Sequence, residues 1–255
     1  MKPSLVLSLE KVTVSFDGFR AVKEMDFSLT EGELRFLIGP NGAGKTTLLD
    51  AICGKVKPAS GKMLYYPEHR AEPIDIARKE EHRIAELGIG RKFQAPSVFS
   101  NLTVRDNMEI AMSQKRGIMA ALFAKTTAEQ REMIERELEL IGLADKASWR
   151  AGNLSHGEKQ WLEIGMMLIQ GPRVLLLDEP VAGMTDRETD KTGELLQEIA
   201  KKRTVVVVEH DMEFVRKFSS RVTVMHEGSL LAEGTIEEVR ADARVAEVYL
   251  GKKAV

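Results

Sequence analysis

At 255 residues the chain has room for one large domain or two small ones, at roughly 150 residues per domain. Its 43% hydrophobic and 30% charged residues make an ordinary globular balance, which excludes a disordered, collagen-like or disulfide-scaffold protein. Lys plus Arg number 37 against 39 Asp plus Glu, and the net charge of −2 sets up no field that would draw in nucleic acid.

The lone Cys53 cannot form an internal disulfide and reads as a small core residue. Apolar runs such as Val205 to Val208 fall far short of the about 20 residues that span a bilayer. Ser4 to Leu9 is too short for the core of a secretion signal, so a cytoplasmic protein is expected.

The predicted elements begin with strands: Leu7, Leu9, Val12 and Val14, a turn at Asp17-Gly18, then Phe27 to Leu29 and Leu34 to Ile38. After the glycine-rich stretch Gly39 to Gly44, Lys45 to Cys53 has helical composition and stops at Gly54, before a turn at Pro58 to Gly61. Ile89 to Phe93 reads as a further apolar strand. The middle is helical. Thr127 to Gln130 is a capping box that opens a helix with Ile134, Leu138 and Ile141 on one face, and Ser155 to Glu158 is a second box opening a helix that Gly171-Pro172 closes. Val174 to Leu177 and Thr204 to Val208 read as buried parallel strands joined by a helix capped at Thr185 to Glu188, a βαβ unit. The tail carries strands at Val222 to Met225 and Leu230-Leu231, a turn at Glu227-Gly228, and short helices from Thr235. Charge runs such as Arg78 to Arg83 read as solvated faces.

Gly39-Pro40-Asn41-Gly42-Ala43-Gly44-Lys45-Thr46 fits G-x-x-x-x-G-K-[ST] after a strand and before a helix. Glycines let backbone N–H groups turn onto phosphates, the helix start adds partial positive charge, Lys45 adds a full one, and Thr46 presents a hydroxyl to Mg²⁺. Which nucleoside follows the phosphates is open from these residues. Hydrolysis also needs a metal carboxylate and a group that aligns water. Asp178 and Glu179, at the end of the Val174 strand, fill those two roles. His210 follows the next strand, where it can reach the γ-phosphate, and Gln94 follows Ile89 to Phe93, where it can meet the metal's water shell or the attacking water.

Leu154-Ser155-His156-Gly157-Glu158-Lys159-Gln160, shortly before Asp178-Glu179, resembles the signature sequence of ABC transporter ATPases. The resemblance runs nearly end to end and looks closest to ATP-binding subunits of the branched-chain amino acid and amide uptake family, its urea-transport branch in particular. It implies an α/β fold: a P-loop NTPase (RecA-like) parallel-sheet core with an antiparallel β subdomain and an α-helical subdomain. The expected division is one ABC ATPase domain over residues 1–255, with 1–95 and 171–255 forming the core and 96–170 the helical part.

The resemblance further implies ATP with Mg²⁺, sandwiched head to tail between Gly39 to Thr47 of one subunit, Thr47 included, and Ser155, Gly157 and Glu158 of a second. Phe16 matches the aromatic that stacks on adenine, and Asp186 the acid of the segment that crosses between subunits. Thr46, Gln94 and Asp178 would hold the metal; Glu179, His210 and Gln94 would serve catalysis. The implied partners are membrane-spanning permeases, through which the chain sits on the inner face of the membrane, and indirectly an extracytoplasmic solute-binding protein. A permease-facing groove is expected near Gln94 to Phe99, where Pro96, Val98 and Phe99 are apolar for a loop. The expected solute is urea or a short amide, with branched-chain amino acid import or lipid export as alternatives. Two departures stand out: His156 replaces the usual signature glycine, and Tyr65 to Ala77 does not follow the family's short connection.

Overall fold

The computed structural model describes residues 4–68, 72–92, 98–112 and 127–250. The chain divides into two compact units: residues 1–91, 173–180 and 196–255 form the first, and residues 92–172 and 181–195 the second.

The first unit holds two sheets. In the antiparallel one, β1 (Leu5–Phe16) pairs with β2 (Phe19–Thr30) on one side and with β4 (Ser60–Tyr65) on the other, and β5 (Ile74–Asp75) follows. The turn between β1 and β2 has positive φ at both Asp17 and Gly18, the backbone that a two-residue hairpin of right-twisted strands requires. Glu227-Gly228 repeats it between β9 (Arg221–His226) and β10 (Ser229–Gly234). The expected turn at Pro58 to Gly61 gives way to strand from Ser60 onward. At Gly61 the backbones of β4 and β1 meet so closely that a Cβ would stand 2.6 Å from Val12 Cα, a contact that alternation of side chains does not encode. In the segment Tyr65 to Ala77, which departs from the family's short connection, the Leu64–Asp75 and Tyr65–Ile74 pairs set β5 against β4.

The second sheet has the order β10-β9-β3-β8-β7-β6, with β3 (Leu34–Ile38), β6 (Ile89–Arg91), β7 (Val174–Asp178) and β8 (Thr204–Val208) all parallel. Every residue of β3, β7 and β8 is buried, as expected of continuous apolar runs in a parallel sheet, and each buried Val or Leu contributes about 1.5–3 kcal/mol. Helix α1 (Lys45–Ile52) buries Leu48, Leu49, Ala51 and Ile52, and Cys53 is buried beside them. Helix α2 (Glu81–Glu86) begins within the charge run Arg78 to Arg83, continues past it and keeps only Ile84 buried.

The second unit is helical. Helix α3 (Val104–Ala111) starts at a Thr103–Asp106 capping box that the sequence reading passed over. Helix α4 (Ala128–Leu140) starts at the Thr127–Gln130 box and α5 (His156–Leu168) at the Ser155–Glu158 box, both as expected. Helix α6 (Asp186–Ala200) begins in this unit and ends in the first. The tail adds α7 (Met212–Phe218), capped by Asp211, then α8 (Ile236–Ala241) and α9 (Ala243–Leu250). Among the described residues no helix is long and apolar enough to cross a membrane.

Candidate functional site

Three parallel strands end on one line, because Leu37 of β3 and Asp178 of β7 both pair with Val208 of β8. Gly39, Glu179 and His210 follow one or two residues beyond it, at the edge where ligands of open α/β sheets bind. Glu179 N–H donates to the Val208 carbonyl at 2.9 Å, and Glu179 takes a left-handed backbone (φ 49°) that a non-glycine residue rarely adopts. That bend brings its carboxylate to 3.5 Å from His210 Nδ1, with both side chains exposed to solvent.

The glycine loop is wedged between backbones. A Cβ on Gly39 would lie 2.1 Å from the Met225 carbonyl oxygen, and one on Gly44 would lie 2.3 Å from that of Ala21. Asn41 and Gly42 are exposed at the crest, and buried Ala43 accepts from Gly228 N–H at 3.1 Å. The ammonium of Lys45 donates to the carbonyls of Gly39 (2.7 Å) and Pro40 (3.0 Å), which holds it over the loop. Helix α1 has Gly44 as N-cap, no side chain bonded to its first amides and no acid in its first turn. Those N–H groups and the helix dipole are therefore open to an anion, with Thr46 and Thr47 in the first turn.

Burial pulls the Lys45 ammonium below its usual pKa, against the opposing pull of Asp178 and Glu179. Burial likewise pushes the Asp178 carboxyl up, although a hydrogen bond from Thr46 and the nearby Arg91 charge work the other way. Asp178 Oδ2 is buried with no hydrogen-bond partner, and Arg91 Nη2 stands 3.6 Å from it. A buried carboxylate oxygen that accepts no hydrogen bond, beside a threonine hydroxyl, is a donor set that suits Mg²⁺, which keeps few protein ligands and completes its shell with waters and phosphates. Among the described residues no group of three or more His, Cys, Asp or Glu side chains gathers to hold a metal. Sequence reasoning missed Arg91 as a supporting residue. Its side chain is buried and bonds Asp50 of α1 as well as facing Asp178, and its one signal was a charged residue inside an apolar strand.

Phe16 sits at the hairpin tip opposite Phe19 and is 46% exposed, so it is no core residue. Gln94 and Pro96 lie outside the described residues. Val98 is half-buried and Phe99 exposed, on a segment tied to α3 by Asn107, which accepts from Phe99 N–H at 2.8 Å and donates to its carbonyl at 3.2 Å.

The second unit gathers the signature residues. Ser155 caps α5 by accepting from Glu158 N–H at 3.2 Å, while Glu158 accepts from Ser155 N–H at 3.0 Å and pairs with Lys146. Both oxygens of Glu158 are thereby engaged. Ser155 Oγ also donates to Glu188 Oε1 at 2.9 Å, and His156 Nε2–H donates to the Ala182 carbonyl at 3.1 Å. Asp186 is the exposed first residue of α6.

A strand, a glycine loop and a helix start with open amides, beside a buried carboxylate at the next strand edges, define a nucleoside-triphosphate-binding P-loop protein. Comparison with known proteins narrows this. The ABC transporter family matches residues 22–182, and the branched-chain amino acid ATP-binding cassette transporter family matches residues 229–255. The high-affinity branched-chain amino acid transport ATP-binding protein LivG of Escherichia coli (strain K12) is 34% identical over 97% of this chain and 98% of its own length. The crystal structure of an ATP-binding cassette of an ABC transporter in its ADP conformation superposes with TM-score 0.83 at 30% identity, over 98% of this chain and all of the other. A dimeric cassette in a post-hydrolysis state, bound to ADP and Pi, superposes with TM-score 0.72 at 26% identity, over 90% of this chain and 98% of the other. The chain belongs to the ABC transporter family, as an ATP-binding subunit and ATPase of the branched-chain amino acid uptake type. These relatives do not support the expected urea or amide solute and fit the branched-chain amino acid alternative better.

Proposed function

We propose that this chain hydrolyses ATP to drive a permease pair that imports branched-chain amino acids. The observation that carries the reading is the near full-length similarity to LivG, supported by the separate match of the C-terminal residues to the branched-chain cassette family. In this reading Phe16 stacks on adenine, the amides of Gly39 to Thr47 and the Lys45 ammonium hold the phosphates, and Glu179 polarises the attacking water. His210 positions the γ-phosphate from 3.5 Å beside Glu179. Thr46 and Asp178, with Gln94, are the residues that would hold Mg²⁺, which neutralises phosphate charge when bound. Glu158 fixes Ser155 through the capping box and Lys146.

Two copies, or one copy and a related subunit, act head to tail, so that Ser155 and Gly157 of one face the γ-phosphate held by the other. The exposed ring of Phe99 and its neighbour Val98 form part of the contact with the permeases, which hold the chain on the inner face of the membrane. An extracytoplasmic binding protein delivers the solute. Reconstitution of the chain with its permeases and binding protein in vesicles tests the reading. Leucine, isoleucine or valine should stimulate phosphate release several-fold, and stimulation by urea or acetamide in their place would overturn it.

A further inference from the structure

Glu188, on the first turn of α6, accepts three hydrogen bonds with one carboxylate. Oε1 takes the Ser155 hydroxyl at 2.9 Å, Oε2 takes the Thr185 N–H at 3.0 Å and its hydroxyl at 2.9 Å, and the backbone of Gly157 lies against the same carboxylate. One side of the group thus holds the signature and the other holds the segment that leads to Asp186. The fit is close: a Cβ on Gly157 would stand 2.6 Å from the carboxylate carbon. These bonds, the Thr185 N–H first among them, hold Glu188 below the usual carboxylate range. His156 adds a second tie to the same segment through the Ala182 carbonyl, which gives the unusual signature residue a structural partner.

A serine hydroxyl has one proton to give. Ser155 accepts from Glu158 N–H, so its proton goes to Glu188. A phosphate oxygen at the signature would need that proton and the Gly157 N–H, and two anions a few ångströms apart repel. The helix backbone under Glu188 is not free to yield. Thr192, fully buried, accepts from Trp161 Nε1–H at 2.9 Å and donates to the Glu188 carbonyl at 2.7 Å, and the Lys191 ammonium lies 4.0 Å from the centre of the Trp161 ring. The carboxylate is the part that can swing.

We infer that Glu188 is a positioning residue that competes with the γ-phosphate for the Ser155 hydroxyl and for the space beside Gly157, so that arrival of the partner's triphosphate at the signature also releases Thr185 and the crossing segment around Asp186. The inference rests on the head-to-tail reading. It makes Glu188 a threshold on closure, and it links occupancy of the signature to the segment that crosses between subunits.

The test uses the full chain carrying Glu179→Gln, in which hydrolysis is suppressed, with and without Glu188→Gln. The ATP concentration for half-maximal dimer formation is read by light scattering. Glutamine keeps the size and one acceptor but loses the charge, so the ATP requirement should fall about fivefold or more, within the usual range of site-to-site coupling. In the chain that retains Glu179, Glu188→Gln should lower the half-saturating ATP concentration of phosphate release while kcat does not rise. An ATP requirement equal to or above that of Glu179→Gln alone would overturn the inference and leave Glu188 as a helix cap. Absence of any ATP-dependent dimer in Glu179→Gln alone would overturn the head-to-tail reading, and the inference with it.

Discussion

The helices α1 and α5 each carry a sequence motif at the N-terminus, yet they begin in opposite ways. At α1 no side chain caps the first amides and no acid lies in the first turn. At α5 a reciprocal capping box is closed by Glu158, and Glu188 takes the Ser155 hydroxyl and packs against Gly157. The charges follow the same division. Around α1, burial lowers Lys45 and raises Asp178, so each charged form lacks full compensation from the chain itself. Around α5, burial raises Glu158 but Lys146 and the Ser155 N–H outweigh it, and hydrogen bonds alone lower Glu188. The phosphate loop is therefore a cradle that a ligand completes, whereas the signature is complete in itself and has to be opened.

The largest effect expected from breaking the first cradle is chemical. Glu179→Gln should cut phosphate release by roughly 10²–10⁴, the usual contribution of a general base, while nucleotide binding measured by filter retention is kept. Near-normal turnover would remove Glu179 from its role. Next in size is the backbone of the loop. Gly39→Ala would drive a Cβ into the Met225 carbonyl, so nucleotide binding should be lost and Tm should drop markedly. Gly42→Ala meets no atom within 4 Å and costs only its left-handed backbone, about 1–2 kcal/mol, or a Tm loss of a few degrees. Equal losses in the two variants would mean that the loop does not depend on the contacts with β9.

That asymmetry also governed how much could be read in advance. A cradle made of backbone needs particular residue types at fixed spacing, so Gly39 to Thr46 and the carboxylates after an apolar strand were legible in the sequence, and so was the sheet of continuous apolar runs. Capping boxes were legible for the same reason, at Thr127, Ser155 and Thr185. The clasp on the signature was not. Glu188 reads as one half of a cap on its own helix, and only the fold brings its carboxylate to Ser155, 33 positions away. Arg91 was hidden because its partners, Asp50 and Asp178, come from α1 and β7. The strand at Ser60 was masked by a turn-like Pro-Ala-Ser-Gly sequence, whose glycine serves the close approach of β1. The solute was not legible, because a phosphate loop and its carboxylates are built for a triphosphate and hold no information about what the permeases pass.

The smallest expected effect sharpens the comparison most, because it predicts opposite signs for two carboxylates. Asp178 titrates above its unfolded value of 3.8. The folded chain therefore holds its proton to higher pH than the unfolded chain, and stability falls as pH rises through that window. At pH 7.5 the ionised group is a net burden, so Asp178→Asn should raise Tm by a few degrees in nucleotide-free buffer, with the gap closing as pH falls into the window. Glu188 titrates below its unfolded value of 4.5, so its contribution is complete above that pH and is lost as pH falls through the folded value. Glu188→Gln should accordingly lower Tm slightly at pH 7.5, a small change because the group is partly exposed, and the difference should vanish under acid conditions. Paired melting curves across pH for the two variants decide the matter. Shifts of the same sign at pH 7.5 would mean that the loop and the signature do not differ in how far each is completed by its own chain.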